Sequence, residues 1–219
     1  MNKKNIINIF FILINLSLLL PLSQSRLIST WDFPSKYTIS TDYLNSSPPS
    51  IVNSSFDFNI EGGLAFSYEH RLIKNEKFNF YLGTQMMLGK KTDITLAFHS
   101  IYLMPTYIFN DKNSLFFRLG YSNLNSDDNA LPASASMLGL GYEIKISEDW
   151  ALNFSNTWHQ TGSKLNIIEV CPDPMFLDVC YSESMNNKLN YNKFSVSLVY
   201  EIKTKEERKS SSKSRGRNK

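Results

Sequence analysis

The chain has 219 residues, which is enough for one domain of ordinary size or one barrel with loops. Its formal net charge of +3 is unevenly placed, because the tail from Lys203 holds eight basic and two acidic residues and Lys3 and Lys4 stand near the start. The body between them is acidic overall, which excludes a general basic surface for nucleic acid.

The first segment, residues 1–25, has the pattern of a secretory signal peptide. Lys3 and Lys4 precede an apolar run, and Ser23-Gln24-Ser25 provides the small-x-small pattern at which such peptides are cleaved. An uncleaved membrane anchor is the alternative, but Asn8 and Asn15 interrupt the apolar run. No later segment is long, uncharged and apolar, so export leaves a soluble protein or a membrane barrel.

Period-two alternation of apolar and polar residues then recurs eight times and predicts β-strands. Several of these segments reach the ~9–11 residues that a tilted strand needs to cross a bilayer, whereas globular strands average nearer 5–6. The predicted strands are Lys36–Leu44, Phe58–Ile73, Glu76–Leu88, Thr95–Asn110, Ser114–Asn123, Ala135–Ile146, Asp149–Gln160 and Asn190–Lys203.

The connections between these strands alternate in length. "KN", "NDKN" and "SE" are short turns, whereas "NSSPPSIVNSSFD", "GKKTDI", "LNSDDNALPAS" and the segment 161–189 are longer loops. Short turns at one end and long loops at the other are typical of bacterial membrane barrels, in which an even strand number brings both termini to the periplasm. A soluble barrel with eight strands does not need this regular asymmetry.

The apolar face of each strand could point into a soluble core or towards lipid, as in "IEGGLAFSYEHRLI", where Leu64, Phe66 and Tyr68 share one face. Trp150 and Trp158 lie on the same face of the seventh predicted strand. Eight residues at roughly 3.3 Å each and a tilt of about 40° separate them by roughly 20 Å, close to the ~25 Å between the aromatic girdles of membrane barrels. We therefore expect these two residues to form an aromatic girdle and the apolar faces to meet lipid.

Together these features resemble the small outer-membrane β-barrel proteins of the OmpA-like and OmpX-like kind. The resemblance rests on "GGLAFSY", "FRLGYSN", "LGLGYEI" and the final "FSVSLVYEI", and it covers Lys36 to Lys203. It implies an all-β, eight-stranded antiparallel up-and-down transmembrane β-barrel over residues 26–203, in the bacterial outer membrane and in contact with lipid and lipopolysaccharide. The sequence departs from the family after Tyr200, because a basic extension follows where such barrels usually stop on an aromatic residue.

Charged residues on the inward faces form a predicted lumen network. Opposite charges in a narrow lumen should pair, because an unpaired buried charge is costly. Eight strands leave an interior that side chains fill, so we expect a closed polar lumen, with a narrow passive channel for ions or small solutes as the alternative. The predicted members are Glu69, Arg71, Lys77, Arg118, Glu143, Lys145 and Glu201.

Cys171 and Cys180 lie in the longest predicted loop and predict one disulfide, as expected of an exported chain. The apolar residues between them make the 161–189 loop a candidate site for an extracellular partner. The basic tail, residues 204–219, is expected to be disordered and available for contact with anionic groups in the periplasm. We expect a monomer.

The sequence contains no recognisable set of catalytic residues, and it predicts no metal site and no cofactor. His99 and Ser100 are adjacent and therefore point to opposite faces, while His159 has no serine partner nearby in sequence. The expected function is therefore a structural or surface-interaction role through extracellular loops, without enzymatic activity. A soluble lipocalin-like ligand-binding barrel is the second alternative.

Overall fold

The structure, a computed structural model, describes residues 25–46, 49–91, 94–170 and 181–202. Residues 1–24 of the predicted signal peptide, the basic tail and the disulfide of Cys171 and Cys180 lie outside these residues and stay predictions. No helix among the described residues is long and apolar enough to span a membrane. Within those ranges the strands are β1 Ser25–Asp32, β2 Ser35–Ser46, β3 Pro49–Ile60, β4 Gly63–Lys74, β5 Phe78–Met87, β6 Lys90–Lys91, β7 Thr95–Asn110, β8 Asn113–Ser126, β9 Ser134–Lys145, β10 Trp150–Thr161, β11 Lys164–Val170 and β12 Tyr181–Ile202.

Eight of these strands close into a ring in the order β1-β4-β5-β7-β8-β9-β10-β12. Pairing of β1 with β12, from Ser25 opposite Ile202 to Asp32 opposite Ser195, closes the ring. Neighbouring strands are antiparallel throughout, so the backbone groups of the wall are paired around the whole circumference. The predicted eight-stranded antiparallel barrel is confirmed.

The position of the first strand of the barrel wall was predicted wrongly. The segment that crosses the wall beside the others is β1, which lies ahead of the predicted strand at Lys36–Leu44. Its inward face mixes Ile28 with polar Arg26 and Thr30, and this mixture blurs the alternation on which the prediction depends. Pro34, which has no N–H to donate, separates β1 from β2, and the Phe33 N–H bonds to the Phe194 carbonyl at 2.9 Å.

Beyond the ring, β2, β3, β11 and the 181–192 part of β12 form a four-stranded sheet in the order β11-β12-β2-β3. We call this sheet the outer extension. In their described parts, the predicted loops 45–57 and 161–189 are therefore largely strands. Breaks at 33–34, 61–62 and 162–163 separate the extension from the barrel wall, whereas β12 runs through both without a break over 22 residues.

The outer surface of the ring is apolar, as predicted. Phe66 is 47% exposed and Tyr121 is 55% exposed, whereas Glu69 on the inward face is 0% exposed. Trp150 and Trp158 both point outwards from β10, and the Trp150 ring lies 4.8 Å from the Tyr200 ring. A polar interior inside an apolar outer surface is the arrangement of a membrane-spanning barrel.

Candidate functional site: the lumen and its outer plug

The lumen opens at the inner end of the barrel, which carries the short connections and is predicted to face the periplasm. A cavity of about 580 Å³ occupies this mouth. Charged side chains from β1, β4, β9 and β12 line one part of it, and uncharged polar side chains from β5 and β7 line another. Its walls include Arg26, Arg71, Tyr81, Thr106, Glu143 and Glu201.

Above the cavity, Glu69 accepts contacts from three other strands. Arg26 Nε lies 3.4 Å from Glu69 Oε2, and Arg118 Nη2 lies 3.3 Å from Glu69 Oε1. The Tyr102 hydroxyl donates to the same Oε1 at 2.8 Å. These contacts join β1, β7 and β8 to β4 through the lumen, so that each buried charge of this layer has a partner of opposite sign.

The predicted network is brought together only in part. Arg26 also pairs with Glu143, and Arg71 Nη1 lies 3.0 Å from Glu201 Oε1. Together with Glu69 and Arg118, five of the seven predicted residues therefore form ion pairs. Arg26, which joins two of them, was missed because it fell at the edge of the predicted signal peptide.

The structure does not place Lys77 and Lys145 in this network. Both are exposed, and neither forms an ion pair with another described residue. Lys77 lies in the turn that precedes β5, and Lys145 is the last residue of β9. At these positions an ammonium group reaches water at the rim and needs no buried partner.

A second buried ion pair lies higher in the lumen, where β1 adjoins β12. Lys193 Nζ contacts the two carboxylate oxygens of Asp32 at 3.1 and 3.0 Å, and the Ser195 hydroxyl donates to Asp32 Oδ1 at 2.7 Å. Lys193 is 2% exposed and Asp32 is 0% exposed. Lys193 is not among the predicted network residues, and its partner Asp32 lies in β1, the strand that the sequence did not predict.

The structure also contains a serine–histidine contact that the sequence search missed. His159 Nδ1 lies 3.1 Å from Ser122 Oγ, which lies 2.7 Å from Ser100 Oγ. The three residues come from β10, β8 and β7, so only the closed ring brings them together. All three are buried inside the wall.

Apolar side chains fill the lumen beyond this contact. The His159 ring stacks on Phe98 with a centroid distance of 4.3 Å, and Phe98 stacks on Tyr191 at 5.6 Å. We call the buried apolar cluster around these rings the outer plug. Its members are Tyr37, Ile60, Ala65, Met87, Leu96, Phe98, Leu124, Leu131, Ala135, Leu189 and Tyr191.

The acidic loop between β8 and β9 folds over the plug. Leu131 from this loop is buried in the plug, and Asn166 of β11 donates to the Ala130 carbonyl at 2.9 Å. The Thr95 N–H donates to Asp127 Oδ1 at 2.7 Å, and this bond lowers the pKa of the Asp127 carboxyl. The loop is therefore tied down at both ends and covers the outer end of the lumen.

A closed ring of strands with an apolar outer surface and a polar, filled lumen defines a class. The fold is that of the small β-barrel proteins of the bacterial outer membrane. No protein-family model matches the sequence, and no curated protein matches it either.

Solved structures of outer-membrane proteins resemble the chain in fold alone. The outer membrane protease OmpT from Escherichia coli is 8% identical, with 81% of this chain and 96% of that chain covered and a TM-score of 0.47. OprG from Pseudomonas aeruginosa is 9% identical, with 82% and 97% covered and a TM-score of 0.44. Ail, the attachment invasion locus protein of Yersinia pestis, is 10% identical, with 78% and 98% covered and a TM-score of 0.34.

Proposed function

We propose that the chain is a monomeric outer-membrane scaffold that holds the outer extension above the membrane surface as an interaction surface for extracellular molecules. The observation that carries this proposal is the free edge of the extension. Among the described residues, β3 pairs with β2 and with no other strand. An unpaired strand edge offers a row of backbone donors and acceptors to which another extended chain can pair.

The height of the extension supports the same function. Leu165 and Ile167 of β11 point outwards and are 57% and 70% exposed. They follow the predicted outer girdle residue Trp158 by seven and nine positions, which places them roughly 20 Å farther along the barrel axis. Apolar side chains at that height lie beyond the hydrocarbon region, among lipopolysaccharide sugars and external molecules, and such exposure favours a contact site.

The lumen supports a scaffold better than either alternative. The outer plug and the loop that covers it fill the outer end, so the resting barrel offers no through-path to a solute. The apolar outer surface disfavours a soluble ligand-binding barrel, because it would expose a continuous belt of apolar side chains to water.

Shortening the extension tests this function. In the test variant an Asn-Gly turn replaces residues 39–56 and retains the pairing of Thr38 with Asp57. Bacteria that display the full chain should adhere to casein-coated surfaces, because casein presents extended polypeptide to the β3 edge, and the shortened variant should lose this adhesion. Different migration of boiled and unboiled samples on gels would show that each barrel is folded.

The matched control is Asp57→Ala, which changes an exposed side chain of β3 and leaves its backbone edge intact. This control should adhere like the full chain. Equal adhesion of cells with the full and the shortened chain, both folded, would contradict the proposed function.

A further inference from the structure

The inward side chains of β10 form a polar column through the lumen. Asn153, Ser155, Thr157 and His159 follow one another at every second position, and each is at most 2% exposed. The column begins beside the inner cavity, because Ala151, the preceding inward residue, lines that cavity. It ends at the outer plug, where the His159 ring stacks on Phe98.

Several atoms of this column have no hydrogen-bond partner among the described residues. These are both amide atoms of Asn153, the Ser155 hydroxyl and Nε2 of His159. Arg118 Nε also has no hydrogen-bond partner among the described residues. The Arg118 side chain lies beside the column, because both border the space next to Gly139. A Cβ added at Gly139 would lie 3.1 Å from Arg118 Cβ and 3.4 Å from Thr157 Oγ1.

The neighbouring wall differs. There Thr30 and Ser197 bond to each other at 2.8 Å, and Asp32 is bonded by both Lys193 and Ser195. Unpartnered buried atoms also occur elsewhere among the described residues, for example on Asn79, Thr106 and Asn156, but on the inward face of β10 three residues carry them in one row. Buried polar groups are almost always hydrogen-bonded, and water is the ligand that reaches a polar site next to an open cavity.

We propose that β10 binds a file of water molecules that connects the inner cavity to His159, and that proton transfer along this file to His159 opens the outer plug. The resting lumen is then hydrated from the periplasm as far as His159 and sealed beyond it. This inference concerns the lumen and is independent of the interaction surface proposed for the outer extension.

The surroundings of His159 explain why its protonation would disturb the plug. Tyr191 and Lys193 face it from β12, and Asp32 of β1 is engaged by Lys193. The side chains next to His159 from β7, β8 and β9 carry no charge and are Phe98, Ser100, Ser122 and Met137. The charged Arg118 of β8 lies farther along the column, at the level of Thr157.

An imidazolium at this position has no carboxylate of its own and faces the Lys193 ammonium across a buried space. Burying such a charge among aromatic rings is costly, whereas the water file can hydrate it. A shift of the ring towards the file would separate His159 from Phe98 and break the ring stack at the inner side of the plug.

Single-sided acidification of planar bilayers tests the inference. The chain is inserted in one known orientation, and current is measured while the inner or the outer side is acidified stepwise from about pH 7 until the current responds or the barrel unfolds, because acid charges histidine. Acid on the inner side should produce current, because the file starts there. Acid on the outer side alone should produce none.

Histidine variants test which residue causes the acid-induced current. The chain contains three histidines, so His159→Gln should abolish the acid-induced current, while His70→Gln and His99→Gln should retain it. A current that survives His159→Gln, a response to outer acid alone, or no response in the native chain would each overturn the proposal.

The file itself is tested by Ser155→Leu, which should abolish the response by filling the column, and by its matched control Asn156→Leu. Asn156 is the next residue of β10 and lies on the opposite face, so its substitution should leave the current intact. If Ser155→Leu does not fold, NMR contacts between water and the Asn153 side-chain amide in the native chain decide the point, and their absence would refute the file.

Discussion

The two halves of the lumen are filled in different ways. The inner half contains crossing ion pairs around Glu69, whereas the outer half contains the apolar plug around Phe98. Charged side chains tolerate burial when each has a partner of opposite sign, and aromatic rings fill the end that is covered by a loop. The interior of a membrane barrel can therefore combine a polar half with an apolar half. Only the polar half follows the expected pattern, in which polar residues point inwards and apolar residues point outwards.

The largest loss of stability is expected when the residue at the centre of the charged half is replaced. Glu69→Leu leaves Arg118 without an ion-pair partner among the described residues and removes one of two partners from Arg26. Removing one member of a buried pair costs about 3–5 kcal/mol, and we expect that loss in the free energy of unfolding measured with urea in micelles. The control Glu76→Gln, at an exposed turn, should change little; an equal loss there would contradict the assignment.

The corresponding test in the apolar half is Phe98→Ala. Phe98 is 1% exposed and stacks on two rings, so its truncation leaves a cavity in the plug. Losses for buried Phe→Ala are about 3 kcal/mol or somewhat more. The matched Phe117→Ala removes a lipid-facing ring that is 42% exposed and should cost clearly less in the same unfolding measurement. Equal losses would mean that the plug is loosely packed.

A smaller loss of stability is expected at Gly141, where the missing side chain leaves space for the Phe116 ring. A Cβ at Gly141 would lie 2.2 Å from Phe116 Cζ and 2.8 Å from the Phe154 carbonyl oxygen, so Gly141→Ala forces rearrangement. Overpacking of this kind costs about 1–3 kcal/mol. Gly162→Ala is the control, because an added Cβ there meets no atom within 4 Å. A silent Gly141→Ala would show that Phe116 moves freely in the lumen.

The smallest effect concerns the loop over the plug. Its carboxyl group Asp127 has a lowered pKa because the Thr95 N–H donates to it, so the bond stabilises the folded loop above the ordinary aspartate pKa. This contribution disappears as pH falls through the lowered folded-state pKa. NMR titration of the Thr95 amide should show that transition, and Asp127→Ala should remove it. An unchanged titration in that variant would assign the transition to another group.

Sequence reasoning recovered the strands whose two faces differ most in polarity. The pattern orients β4 through Leu64 and Phe66, but it gives no orientation for "LAFHSIYLMPTYIFN" of β7, because both faces of that segment are apolar. The structure gives the physical reason: Leu96, Phe98, Tyr102 and Met104 are buried in the lumen, while Ile101, Leu103 and Tyr107 are exposed on the lipid-facing side. An inward apolar residue and a lipid-facing one look the same in a hydropathy pattern.

The candidate site was predictable to a similar extent. Strand parity placed Glu69 and Arg118 inside, but their partners depend on which strands face each other across the ring, and no local pattern records that. The Ser122–His159 contact was missed for the same reason, because 37 residues separate its members in the chain. Arg26 and Asp32 were missed together with β1.

The breaks at 33–34, 61–62 and 162–163 affect how a force on the outer extension is transmitted to the barrel. Three of the four strands of the outer extension are interrupted where they meet the barrel, and β12 alone continues through the junction over 22 residues. A pulling force on the extension would therefore reach the membrane mainly through β12. That strand lies between β10 and β1, so the load would be shared in shear by two rows of hydrogen bonds. Inside this junction, Tyr37, Ile60 and Leu189 of the extension pack in one buried cluster with Phe98 and Leu124 of the wall, so the outer plug also resists bending of the extension against the barrel.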